Sequence, residues 1–386
     1  MKPKLVRITT VPISLEKLLE KQLAFMSQFY EVIAISSDEV RLRKFAEEEG
    51  LRSKCIHLTR TISPLSDLKA LWKMYWFLKK ERPTFVHSHT PKAGTVGMLA
   101  AFLAGVPYRL HTVAGLPLLE TKGKKRWLLN QVERITYRCA TMVYPNSEGL
   151  RKIIIKERLG KPNKLAVIGS GSSNGIDTSY FSPELFSAVE REKIRRTLNI
   201  DLGNYVFIFI GRLVGDKGIN EMISAFSRLK KISPRVSLLL VGEQEFDLDP
   251  LMPDTIAEIE NNSDIITTGY QKDVRKYLAI SDLLVFPSYR EGFPNVVMQA
   301  GSMCLPAIVS DINGCNEIIS EGINGSIIPV KDSNALFERM LKFETNPSDS
   351  QILGKHARKI IVDRYEQKFV WNAILTEYKT VNSNDL

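Results

Sequence analysis

The segment LLVFPSYREGFPNVVMQAG, residues 283–301, reads as a short buried strand, a polar loop and an apolar helix. Leu283–Phe286 is uniformly apolar and too short for a helix, which suits a strand covered on both faces. Pro294 suits a helix start, and Gly292 permits unusual dihedrals or a close ligand. A strand, a loop and a returning helix make the repeating unit of α/β folds, and ligands there collect at the carboxyl ends of strands. Arg290, Glu291 and Gly292 stand at such an end.

The same pattern recurs along the chain. Strands are expected at Leu5–Val11, Val32–Ser36, Cys55–Leu58, Phe85–His89, Arg109–Val113, Met142–Pro145 and Leu165–Ile168. Helices fill the gaps, among them Leu15–Phe29, Leu65–Lys80, Lys92–Ala104 and Lys125–Cys139. The alternation restarts at Tyr205–Gly211 and continues through Val236–Val241, Ile265–Thr268, Leu283–Phe286, Ala307–Val309 and Ser326–Ile328. Between the two series, Asp177–Asp201 is polar and reads as a connection. The 386 residues suit two domains, each with a parallel sheet between helices, divided at 178/179 and leaving a cleft between them.

Hydrophobic residues make up 44% of the chain and charged residues 25%, a globular rather than disordered balance. Four cysteines show no CxxC or metal-ligand spacing, as expected of thiols in a reducing compartment. The first residues do not read as a signal peptide, and no apolar run reaches the length of a spanning helix. The net charge of +10 is uneven. Residues 1–180 carry 30 Lys/Arg against 15 Asp/Glu, while residues 181–386 carry 23 against 28. The first half is therefore expected to face something anionic. Leu68–Pro83 and Thr121–Arg138 mix lysines and arginines with Trp72, Tyr75, Trp76, Phe77 and Trp127. Such helices suit either an anionic membrane surface or ordinary packing on a sheet. No nucleic-acid-binding module appears.

Several strand-exit loops carry chemistry. In GRLVGDKG, residues 211–218, two glycines, Arg212, Lys217 and a helix start suit a diphosphate, though a solvated turn has the same composition. No Walker A loop is present, and GSGSSNG at 169–175 misses the dinucleotide fingerprint. In the opening segment Glu291 is either a ligand contact or a favourable first-turn acid. Gln299 falls one turn after Asn295. His87 and His89 alternate on one strand and share a face. His111 lies at the end of the next strand. No carboxylate or thiol accompanies the three at zinc-ligand spacing. The DxD triplet Asp247–Leu248–Asp249 reads as a surface loop rather than a metal site.

Taken in order, these motifs resemble family 4 glycosyltransferases of the two-domain GT-B fold, along the whole chain, and are most similar to bacterial CapM-like surface-polysaccharide enzymes. The resemblance implies two Rossmann-like α/β domains facing across a cleft. Residues 1–178 would bind acceptor and 179–363 the nucleotide-sugar donor, with a last helix near 364–380 crossing back onto the first domain. It assigns Arg212 and Lys217 to the donor diphosphate and brings Gly269 and Tyr270 near the base. Glu291 would meet donor-sugar hydroxyls, with the backbone of Gly292, Phe293, Pro294 and Asn295 seating sugar and phosphate. Ser173–Asp177 matches the family's SNGID-type segment. His111 matches an active-site histidine, and Glu317 follows in the same block. The second acid of the family's E-x₇-E motif is Gln299 here, and the first loop, Thr9–Ile13, lacks the glycines of many relatives.

The implied reaction is retaining, metal-independent transfer of a hexose-type sugar from a nucleotide diphosphate, UDP before GDP. The acceptor would be a polyprenyl-diphosphate-linked glycan at the cytoplasmic membrane face, with no cofactor and only peripheral membrane contact. A GT-B epimerase or phosphorylase, or a non-catalytic nucleotide-sugar-binding protein, stands as the alternative.

Overall fold

A computed structural model describes residues 2–59, 63–246 and 249–383. The chain forms two compact units. One runs up to Asn174 and resumes at Lys368; the other is Gly175–Gln367. These divisions fall a few residues from the 178/179 and 363/364 boundaries read from the sequence.

The first unit holds a six-stranded parallel sheet among the described residues: β1 (Lys4–Ile8), β2 (Glu31–Ser36), β3 (Arg52–Cys55), β4 (Phe85–His89), β5 (Tyr108–Val113) and β6 (Met142–Pro145). Their spatial order is β3-β2-β1-β4-β5-β6. Strands β1, β2 and β4 are almost wholly buried because helices cover both faces.

Three sequence expectations change here. The strand read at Cys55–Leu58 is Arg52–Cys55, a largely exposed edge whose polar residues hide it from a hydrophobicity reading. Leu165–Ile168 makes a single bridge, Val143 to Leu165, and no strand. The helix read as Leu15–Phe29 is two, Pro12–Leu18 and Gln22–Ser27, with Lys21 in the left-handed region at φ 58°. Glu49, distant in sequence, accepts from the backbone N–H groups of Lys21 and Ala24 at 3.1 and 3.0 Å. That capping satisfies donors at the second helix start. The break also delivers Gln22, fully buried, to the centre of the unit.

The helix Gln367–Ser383 returns to this unit. Val370, Ile374, Leu375 and Tyr378 join Leu5, Leu15, Leu23, Val32 and Phe85 in one apolar cluster. Its Trp371 indole N–H donates to Asn174 Oδ1 at 2.7 Å, and Gln22 Nε2 donates to the same oxygen at 3.0 Å.

The second unit repeats the plan with β7 (Tyr205–Ile210), β8 (Val236–Val241), β9 (Ile265–Thr267), β10 (Leu283–Phe286), β11 (Ala307–Ser310) and β12 (Gly325–Ile328). All pair in parallel, in the order β12-β11-β10-β7-β8-β9. The winding direction reverses between β7 and β10, and a crevice outside the strand ends at such a point is where doubly wound sheets bind ligands. The connection after Asp177 contains the helix Ala188–Thr197, started by a capping box between Ser187 and Glu190.

Candidate active site

The exits of β7 and β10 meet at the reversal point of the second unit. After β7, Gly211–Val214 leads to a single tight turn, Gly215–Lys217, then to the helix Ile219–Ile232. Gly218 closes that turn at φ 71°, and a Cβ there would lie 2.2 Å from the Pro287 carbonyl oxygen. Only glycine meets both demands. The two loops thus touch through backbone, which seats the Lys217 side chain against the β10 exit.

Lys217 Nζ pairs with Glu291 Oε1, both side chains more than four-fifths buried. Ser288 Oγ donates to the same carboxylate oxygen at 3.1 Å. Asn313 Nδ2 donates to the Glu291 and Gly292 carbonyls, bringing in the exit of β11. Gly314 lies so close that a Cβ would meet the Gly292 oxygen at 2.5 Å. Arg290 pairs with Asp216, whose carbonyl accepts from Tyr289 N–H at 2.8 Å. Tyr289 O–H in turn donates to Glu221 at 2.7 Å. Three consecutive strand exits therefore lock into one polar surface with Lys217 and Glu291 at its centre.

Arg212 is half-exposed and donates to Glu245 at 2.8 Å, from the loop after β8. Asp249, the described half of the DxD triplet, accepts from the backbone N–H of Asp216 through its carboxylate and from Gly215 N–H through its carbonyl at 3.0 Å. It braces the Gly215–Lys217 turn. Asp247 lies outside the described residues. No group of three or more His, Cys, Asp or Glu side chains placed to hold a metal ion occurs among the described residues.

Comparison with known proteins places these loops in a family. The model described as "Glycosyl transferases group 1" matches residues 190–360, and that of the "Glycosyl transferase 4-like domain" matches 22–171. The chain is 32% identical over 378 residues to the capsular polysaccharide biosynthesis glycosyltransferase CapM of Staphylococcus aureus, covering 98% of this chain and 97% of that one. This chain belongs to the GT4 glycosyltransferases. The glycosyltransferase is also 31% identical over 311 residues, 80% of its length and 78% of the relative's, to an Escherichia coli UDP-Gal:alpha-D-GlcNAc-diphosphoundecaprenol alpha-1,3-galactosyltransferase. Its architecture is GT-B: Anabaena Alr3699/HepE, solved in complex with UDP, superposes with a TM-score of 0.82 at 19% identity, covering 98% of this chain and all of that one. Membership makes the protein an enzyme, so the non-catalytic reading is set aside.

Within this glycosyltransferase the residues assigned by resemblance fall unevenly. Lys217, Glu291, Gly292 and Asn295 gather at the β7 and β10 exits. Phe293 turns its side chain into the core against Tyr365, with ring centroids 5.4 Å apart, so only its backbone is free to serve a ligand. Pro294 precedes the helix Asn295–Ser302. Gln299 lies half-buried on that helix, and its side chain makes no hydrogen bond among the described residues. Gly269, left-handed at φ 65°, bridges Gly242 beyond β8, and Tyr270 is exposed.

His111 departs most from its expected place. It lies inside β5, only 2% exposed, on the sheet face opposite His87 and His89. Ser88 Oγ meets its Nδ1 at 2.8 Å, and a Cβ on Gly94 would lie 2.4 Å from its ring. Burial holds its pKa down to about 4, so the ring is neutral at physiological pH. Asp216, Ser288, Glu245 and Asn313 were not read from the sequence as parts of the site. Each acts across a separation of three to 74 residues; Asp216 alone had a local signal, inside the Gly-rich loop.

Proposed function

We propose that this glycosyltransferase transfers a hexose-type sugar, with retention and without a metal ion, from a UDP-sugar to a polyprenyl-diphosphate-linked glycan during surface-polysaccharide synthesis. The observation that carries the reading is the paired loop cluster of Lys217 and Glu291 in a chain related end to end to CapM. The Escherichia coli relative supports it, as does a Campylobacter jejuni relative, 28% identical over 335 residues, named as an N,N'-diacetylbacillosaminyl-diphospho-undecaprenol alpha-1,3-N-acetylgalactosaminyltransferase.

In this scheme the Lys217 ammonium and the Arg212 fork take the donor diphosphate, aided by N–H groups at the start of the Ile219–Ile232 helix. These charges stabilise the leaving UDP as the glycosidic bond breaks. Arg212 exchanges Glu245 for phosphate. Glu291, oriented by Lys217 and Ser288, accepts from sugar hydroxyls. The acceptor hydroxyl attacks from the face that UDP leaves. Gly269 and Tyr270 flank the base, Gln299 takes the ribose, and His111 holds the β5 exit on the acceptor side.

The acceptor suggests where the protein works. No helix among the described residues is long and apolar enough to cross a membrane. The helix Pro64–Glu81 buries Ala70, Met74 and Leu78 and leaves Leu65, Leu68, Trp72 and Trp76 outward among lysines. That stripe suits peripheral contact with an anionic membrane.

The test is a mass-detected transfer screen with UDP- and GDP-sugars, polyprenyl-diphosphate-sugar acceptors and EDTA. Transfer from a UDP-sugar that survives EDTA, with an α-linked product from an α-linked donor, is expected. Inversion, loss in EDTA, or sugar conversion without an acceptor would each overturn part of the reading.

A further inference from the structure

Arg7 on β1 is fully buried in the first unit, and among the described residues no carboxylate hydrogen-bonds or pairs with it. Its guanidinium reaches Tyr378 O–H, Gln22 Oε1 at 2.6 Å, His89 Nε2 at 2.8 Å and His87 Nδ1 at 3.4 Å. A guanidinium only donates, so these contacts set the proton positions around it. His89 Nε2 accepts, which leaves the proton on Nδ1; that N–H is enclosed and has no partner among the described residues. Tyr378 accepts from Arg7 and passes its own proton to His87 Nδ1. His87 Nε2–H then donates to Thr112 Oγ1 at 2.7 Å, turning the Thr112 hydroxyl proton outward. Burial beside Arg7 keeps both histidines neutral.

These donors converge. A cavity at the carboxyl ends of β4, β5 and β6 is lined by His89, Thr112, Asn146 and Ser173, with Ile374 from the last helix. It has room for one small ion or one or two waters. Asn146 Oδ1 and Ser173 Oγ are enclosed without partners, as is Arg7 Nε. Turning the Asn146 amide over aims its NH₂ inward at no steric cost.

We infer that this cavity is a binding site for a small monovalent anion of about chloride size. A buried charge without a counter-ion is among the costliest arrangements in a protein. Arg7 does not line the cavity, so one anion faces that charge across the His89 ring and occupies the N–H and O–H donors, whereas water would serve the donors alone. The anion links three strand ends to Ser173, next to Asn174, which Gln22 and Trp371 already grip. The site is built from residues of the first unit and does not depend on the identity of the sugar.

The full-length protein is melted in sodium chloride, sodium bromide and sodium gluconate at equal ionic strength. Chloride and bromide are expected to raise the melting temperature saturably, by about 3 °C or more over gluconate. Ser173→Ala is expected to shift half-saturation to about tenfold higher halide, and bromide-soaked crystals to show an anomalous peak beside His89 Nδ1. Equal melting in all three salts, or water without bromide in the cavity, would overturn the assignment. The wild-type salt series decides the matter even if the variant folds poorly.

Discussion

At the scale of single residues, Lys217 and Glu291 pair with and orient each other in a largely enclosed place. Removing either leaves the other without this partner and, under the proposed function, takes away one donor contact. Lys217→Ala is expected to lower kcat/KM about 10²–10³-fold, the usual cost of one group that stabilises a developing anion. Steady-state transfer, with circular dichroism as a fold control, checks it; an unchanged rate would remove Lys217 from the diphosphate site. Under the proposed function, Gln299→Glu replaces a mixed donor–acceptor with two acceptors toward the ribose diol. The variant is expected to lower the donor KM about fivefold, because a hydrogen bond to a charged group outweighs a neutral one by about 1 kcal/mol. Donor titration with the acceptor held constant measures it.

At the scale of elements, the Gly215–Lys217 turn matters more than any one side chain on it. Gly218→Ala forces a methyl group against the Pro287 carbonyl at a left-handed φ. The variant is expected to lose about 2 kcal/mol or more of stability and most of its transfer activity together, as read by urea unfolding and kcat/KM. A stable and active variant would show that the β7 and β10 loops tolerate separation. In the first unit, Tyr378→Phe removes the hydroxyl that joins Arg7 to His87. About 1–3 kcal/mol should be lost, visible in urea unfolding.

The elements also show what a linear reading can see. The strands of the second unit were legible because burial on both faces makes them plain apolar runs, and β8 and β10 stand where they were read. The edge strand β3 was not, since an exposed edge carries polar residues such as Arg52 and Lys54. The break at Lys21 was equally hidden: its cap comes from Glu49, and a local pattern carries no trace of a distant carboxylate.

At the scale of the whole molecule, pH dependence follows from buried groups of the first unit. His87, His89 and His111 have folded pKa values below the ordinary histidine value, His111 at about 4, because burial penalises the charged ring. Their stabilising contribution is present above the unfolded pKa, near 6.5, and is lost as pH falls toward the folded values. Glu133 opposes them, since burial raises its pKa to about 7 and its contribution disappears as pH rises from about 4.5 to 7. The three histidines outweigh Glu133 and Glu49, whose pKa burial also raises, so stability is expected to fall between pH 6.5 and 5, by about 1.4 kcal/mol per pH unit for each net proton the unfolded chain binds in excess. Thermal unfolding across that range tests it, and a flat or rising profile would contradict the burial of the histidines.

The sequence by itself determined the α/β class, the two-fold repetition of strand and helix, and the loops where Arg212, Lys217 and Glu291 stand. Apolar periodicity and the backbone needs of glycine and proline are local properties, written in neighbouring residues. Only the tertiary structure decided that Lys217 meets Glu291, that Asp249 braces a turn, that His111 faces away from His87 and His89, and that Arg7 is buried among neutral partners. Those facts depend on which strand exits become neighbours when the sheet is wound, and side chains tens to hundreds of residues apart acquire their partners only then.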